Sequence, residues 1–343
     1  MKITNLLVHL LWLALLPGLF SCKNTPSNEP PEAGPATATE AGTPAINELT
    51  AKIAQSPNSA ELYATRGRLW YEHENPDQGI ANLSKAIELD STRAEYFHTL
   101  ADIYMDYYKS RLALNTMERA AAAFPKRIPT LLKLAEFQLI LQQHKEALFT
   151  LERIRAIKPL NPEMFFMFGN VFSDMGRKEE AITAYQSAVE NNPDLLDAWV
   201  KLADLLAEKN NPIAAKYYDN ALRLDSNNID ALHAKAYYLS NRKNDLLGAI
   251  AIYKKINTLD PQYADGYYNS GLIYLDMDSL NQAYKNFDLA VKMAPTFADA
   301  YFHRGVVAEM KGDVKQAIAD YENVLNFDPD YESAKEGLKR LKQ

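Results

Sequence analysis

The chain has 343 residues, with 37 basic and 44 acidic side chains and a net charge of −7 at neutral pH. That balance, without any Lys/Arg-rich run, excludes a partner held by neutralising nucleic-acid phosphates. The one cysteine, Cys22, excludes an internal disulfide framework and a cysteine-based metal site.

Residues 1–21 open with Lys2, continue in an apolar run from Leu6 to Leu16 interrupted only by His9, and break at Pro17-Gly18. This is a signal-peptide pattern, and the run is shorter than the roughly 20 apolar residues a bilayer span needs. Leu19-Phe20-Ser21-Cys22 then resembles a bacterial lipobox, although Phe20 is a less usual middle residue. The resemblance implies cleavage before Cys22, a lipid on its sulfur and an acylated new amino group. It places the mature protein on the bacterial cell envelope, at the outer membrane facing the periplasm. Residues 22–45 carry five prolines and almost nothing apolar larger than Ala, so they are expected to be a disordered tether. Such a tether reaches on the order of 25 Å as a coil and about 70 Å when extended.

Residues 46–59 hold Ile46, Leu49 and Ile53 on one helical face, closed by Pro57 and entered through Thr43-Pro44 as N-cap and first helical residue. From Ala60 onward one unit recurs, with spans 60–93, 94–127, 128–161, 162–195, 196–228, 229–263, 264–297 and 298–331. The copy at 162–195 shows its logic. Phe165, Phe168 and Phe172 line one face of a first helix with Gly169 beside them, Gly176 ends it, and a second helix from about Lys178 carries Ala181, Tyr185 and Ala188 up to Pro193. The eighth position is small in every unit: Gly67, Ala101, Ala135, Gly169, Ala203, Ala236, Gly271 and Gly305. So is the twentieth, from Gly79 through Ala113 to Ala317, whereas the twenty-fourth is bulky, from Leu83 and Met117 to Tyr321. Small residues let two antiparallel helices approach, and large ones fill the space between layers. Residues 332–343 close the chain with Ala334, Leu338 and Leu341 at helical spacing under a charged surface.

This pattern resembles the tetratricopeptide repeat family over about four fifths of the chain. The resemblance implies an all-α, right-handed solenoid of antiparallel helix hairpins, with eight repeats and terminal capping helices. It also implies a concave groove lined by the first helix of each hairpin.

No catalytic constellation emerges, and no cofactor or metal is expected. His73, His98, His144, His233 and His303 fall in five different units. Asp276-Met277-Asp278 begins like a calcium loop, but Asn281 stands where Gly is needed and Phe287 where a bidentate Glu is needed. The expected chemistry is recognition. In a first helix packed through positions four, seven, eight and eleven, positions two, five, nine and twelve form a second face. Position two carries Glu61, Glu95, Glu163, Asp197, Asp230, Asp265 and Asp299, although an acid in the first turn also suits the helix dipole without any ligand. Position five carries Phe166, Val200, His233, Tyr268 and Phe302, joined on that face by Asn170, Tyr237 and Leu272. These residues either bind a partner or pack against neighbouring units. The basic and amide clamp of the family's chaperone adaptors is absent, with Ala64, Arg68 and Asp102 in its place. The expected partner is a protein presenting a basic or hydrophobic segment, with the membrane reached through the lipid and no nucleic acid. The aromatics leave a cell-wall or polysaccharide binding module open. An accessory role in an outer-membrane assembly or secretion machine remains a further alternative.

Overall fold

The structure, a computed structural model, describes residues 42–342. Cys22 and its expected lipidation lie outside the described residues. Helix α1 (Pro44–Gln55) is followed by eight helix pairs: α2 (Ala60–Glu72) with α3 (Pro76–Leu89), α4 (Ala94–Asp106) with α5 (Ser110–Ala123), α6 (Ile128–Ile140) with α7 (His144–Ile157), and α8 (Pro162–Asp174) with α9 (Lys178–Asn191). The remaining pairs are α10 (Leu196–Glu208) with α11 (Ala214–Leu224), α12 (Ile229–Lys243) with α13 (Leu246–Leu259), α14 (Ala264–Asp276) with α15 (Leu280–Met293), and α16 (Ala298–Met310) with α17 (Val314–Phe327). Helix α18 (Glu332–Leu341) ends the array. The architecture is an all-α solenoid.

Local chemistry fixes several helix starts. Thr43 Oγ1 accepts the Ile46 N–H at 3.4 Å, Asn161 Oδ1 accepts that of Met164 at 2.7 Å, and Asn228 Oδ1 that of Ala231 at 2.9 Å. Pro44, Pro76 and Pro162 sit in first turns, where a missing N–H loses nothing. The turn inside every hairpin is also uniform. One residue adopts a left-handed conformation in each: Glu74, Tyr108, Gln142, Gly176, Asn210, Asn244, Asp278 and Gly312. The next N–H reaches back to a carbonyl near the end of the first helix, as Lys109 does to Tyr104 at 2.7 Å and Arg177 to Phe172 at 2.8 Å. This turn satisfies carbonyls that the helix end leaves open.

The core is the meeting of small and large residues within each hairpin. A Cβ added to Gly169 lies 2.4 Å from the Tyr185 ring, and one added to Gly271 lies 2.6 Å from Phe287, so these rings rest directly on the opposing backbone. Ala113, Ala147, Ala181, Ala214, Ala249, Ala283 and Ala317 are all fully buried, as close packing of the second helix requires. At the ends, Ile46 and Ile53 of α1 are buried against the first hairpin and Ala334 of α18 against the last. First helices of successive hairpins also touch, as α2 with α4, α4 with α6, α6 with α8, α10 with α12 and α14 with α16. They therefore occupy the inner, shorter-radius side of the solenoid.

Two hairpins depart from the pattern. In the fifth, residues 209–213 separate the helices and α11 shrinks to 11 residues. In the sixth, the added length goes into α12, which has 15 residues where the other first helices have 13, and only Asn244 and Asp245 separate it from α13. Helix rather than loop absorbs that insertion.

Tyr108 is 95% exposed and left-handed, with φ 57°. Tyr108→Gly is expected to stabilise the array by about 1 kcal/mol, and Gly176→Ala to destabilise it by a similar amount. Urea unfolding of the two variants checks both signs.

Candidate functional site

The inner face combines rings from both helices of a hairpin. Position-five side chains lie over the twenty-fourth-position rings: Phe166 is 5.7 Å from Tyr185, His233 5.6 Å from Tyr253, Tyr268 5.9 Å from Phe287, and Phe302 5.8 Å from Tyr321, centroid to centroid. Second-helix tyrosines reach through to inner-face acceptors. Tyr185 donates to Asn170 at 2.7 Å, Tyr218 to Asp204 at 2.6 Å, and Tyr321 to Glu309 at 2.8 Å. Phe166, Asn170, Val200, His233, Tyr268, Leu272 and Phe302 are half-buried, so packing and exposure coexist at the same side chains. Tyr237 is 53% exposed, and Glu163, Asp197, Asp230 and Asp265 are exposed.

The second face is thus not a separate floor lying on the helices. Its aromatics are the top layer of the hairpin packing. Three further rings belong to it that the pattern of positions two, five, nine and twelve does not include. Tyr263, Phe297 and Tyr331 each precede the next helix and pair with position five of the preceding one: His233 with Tyr263 at 5.9 Å, Tyr268 with Phe297 at 4.8 Å, and Phe302 with Tyr331 at 5.1 Å. The corresponding unit ends in the first five repeats are Arg93, Arg127, Asn161, Leu195 and Asn228. That contrast is visible in the aligned units and is the signal for these residues.

Ion pairs join neighbouring repeats along the array. Lys133 meets Asp102 at 2.6 Å, Lys178 meets Glu208 at 2.5 Å, Lys235 meets Asp219 at 2.6 Å and Arg304 meets Asp288 at 2.8 Å across neighbouring repeats, and Arg127 meets Glu95 at 2.7 Å within one unit. His144 Nε2 stands 2.5 Å from Asp174. Of the position-two acids, Asp299 accepts the Tyr331 hydroxyl at 2.7 Å, while Glu61, Glu163, Asp197, Asp230 and Asp265 have no ion pair among the described residues. Burial pushes the Asp204 carboxyl above the usual carboxylate range, against the hydrogen bond from Tyr218. Burial likewise lowers His233, opposed by Asp265 and Asp230, and its Nδ1 is 2.9 Å from the Tyr263 hydroxyl. Among the described residues no group of three His, Cys, Asp or Glu side chains is arranged to hold a metal ion. On the outer side a cleft of about 600 Å³ lies between α5, α6 and α7, with Phe149 69% exposed at its wall.

Sequence models of the tetratricopeptide repeat match residues 166–229, 264–297 and 298–331. The chain is a tetratricopeptide-repeat protein. The human Protein O-mannosyl-transferase TMTC3 is 25% identical to this tetratricopeptide-repeat chain over 253 residues, which is 71% of this chain and 27% of that protein. Anaphase-promoting complex subunit 7 of Dictyostelium discoideum is 26% identical over 217 residues, 62% of this chain and 36% of that protein. The chain therefore spans only about a quarter to a third of the length of these relatives. Among solved structures, the APC/C hetero-tetramer Cut9-Hcn1 superimposes with a TM-score of 0.55 at 17% identity, covering 87% of this chain and 58% of that one, a likeness of fold.

Asp204→Asn keeps an acceptor for Tyr218, as Asn170 does for Tyr185, and removes a charge that burial disfavours. At about pH 7 the variant is expected to unfold at a higher urea concentration than the parent. The raised native pKa makes the parent gain stability as pH falls, so the gap closes once Asp204 is protonated. A gap that persists in acid contradicts burial as its cause.

Proposed function

We propose that this chain is a non-enzymatic scaffold, held at the bacterial envelope by a lipid on Cys22, that grips a partner protein along the inner face of its repeats. The observation that carries the reading is that Phe166, His233, Tyr268 and Phe302 on the inner face are half-buried rather than closed over. A face serving only to hold helices together gains nothing from leaving large rings partly in water. The relative named as an anaphase-promoting complex subunit supports a binding role for such arrays. The mannosyl-transferase activity in another relative's name belongs to a protein of which this chain spans 27%, and it is not assigned to this chain. Among the described residues no helix is long and apolar enough to cross a membrane. Support for the anchor is the apolar leader followed by Leu19-Phe20-Ser21-Cys22.

The test is site-specific photo-crosslinking in the full-length chain expressed in its bacterial host. A crosslinker at Val200 or Leu272 is expected to trap a discrete protein partner in the membrane fraction, and one at Ser187, on a second helix, is not. Cys22→Ala is expected to move the chain to the soluble fraction while leaving its helicity unchanged. Crosslinks only from Ser187 overturn the binding face, and a membrane-bound Cys22→Ala chain overturns the anchor.

A further inference from the structure

Three features meet on the inner face of the last three repeats. First, each has an aromatic pair on its inner face: His233–Tyr263, Tyr268–Phe297 and Phe302–Tyr331. His303 joins the last two of these pairs, lying 5.6 Å from Tyr268 and 5.1 Å from Phe302. Repeat packing does not demand this, since Ala64 with Arg93 and Val200 with Asn228 fill the same positions elsewhere.

Second, every pair has a carboxylate three residues before its first ring, at Asp230, Asp265 and Asp299. Nearby cations are already committed to other acids. Arg304 is only 11% exposed and bridges Asp288 at 2.8 Å and Asp320 at 2.6 Å, and Lys235 is 2.6 Å from Asp219. Asp230 and Asp265 therefore have no ion pair among the described residues, as Glu163 and Asp197 have none in repeats four and five where no ring stands at the unit end, and Asp299 meets the Tyr331 hydroxyl.

Third, the Tyr253 hydroxyl is buried with no hydrogen-bond partner. Its counterparts on α9, α11 and α17 reach Asn170, Asp204 and Glu309 on the inner face. In α12 the place of Asn170 and Asp204 is taken by the half-exposed Tyr237. An unmet buried hydroxyl is unfavourable, and an acceptor brought by a ligand relieves it.

A cation is attracted both to an aromatic face and to an adjacent carboxylate. An extended polypeptide brings such cations on its side chains and a carbonyl acceptor at every residue. We propose that the inner face of repeats six to eight is the docking surface for an extended, lysine- or arginine-bearing segment of the partner protein. Its cations lie against the three aromatic pairs and their carboxylates, and a backbone carbonyl beside Tyr237 takes the Tyr253 hydroxyl. This rests on the reading of the chain as a protein-binding scaffold and adds where the partner binds and with what charge.

The probe is a fluorescein-labelled peptide of alternating Lys and Ser, with a Glu/Ser peptide and a labelled β-1,4-linked N-acetylglucosamine hexasaccharide as comparators, titrated by anisotropy at low and physiological salt. The full chain is expected to bind the Lys/Ser peptide, more weakly as salt rises, and neither comparator. The Asp230→Asn/Asp265→Asn/Asp299→Asn variant, with unchanged circular dichroism, is expected to lose about tenfold in affinity through the loss of three exposed charge contacts. Glu163→Gln/Asp197→Asn, which removes two acids from repeats four and five, is expected to leave affinity within about twofold. The proposal is overturned if the two variants weaken equally, if the triple variant binds like the parent, or if the hexasaccharide binds in place of the basic peptide. A crosslinked partner held equally by parent and triple variant removes this proposal and leaves the scaffold reading standing; loss of all inner-face crosslinks removes both.

Discussion

The structure depends on one recurring contact, a bulky side chain of the second helix lying against a small residue of the first. At Gly169 the Tyr185 ring occupies the space a Cβ would take, and at Gly271 Phe287 does the same. This contact sets the approach of the two helices, and a single hairpin made this way still leaves one face uncovered. Stacking covers it. The terminal helices α1 and α18 do the same work at the ends, α18 partly through Arg340, which meets Glu309 at 2.7 and 2.8 Å.

The same contact has a consequence for function. A tyrosine at the twenty-fourth position is long enough for its hydroxyl to emerge among the inner-face side chains, so the packing layer supplies hydrogen-bond donors to the groove. Tyr185, Tyr218 and Tyr321 spend those donors on Asn170, Asp204 and Glu309. Tyr253 does not. Stability and recognition thus meet in one layer of side chains, and the inner face inherits the periodicity of the core beneath it.

The solenoid was legible because its determinants are local and repeated. Gly169 with Tyr185, or Ala181 with the turn at Gly176, are spaced within one unit and recur at the same positions in the others. Features that arise between units were not legible. Ion pairs such as Lys133 with Asp102 join different units and follow from side-chain reach between stacked hairpins. The left-handed turn residue is a glycine in only two hairpins, so Glu74, Tyr108 and Gln142 give no sequence signal for it. The inner face was partly legible: position five pointed to Phe166, Tyr268 and Phe302, but their rings also pack on the second helix. Tyr263, Phe297 and Tyr331 sit at unit boundaries, where helix periodicity assigns no face.

On this structure, binding takes place on the inner face of the last repeats. Hydrogen–deuterium exchange of the full chain, with and without a saturating Lys/Ser peptide, addresses it most directly. Exchange is expected to slow in α12, α14 and α16 on binding, with α5 and α7 around the outer cleft unchanged. Slowing confined to α5 and α7, with α12, α14 and α16 unaffected, would contradict it.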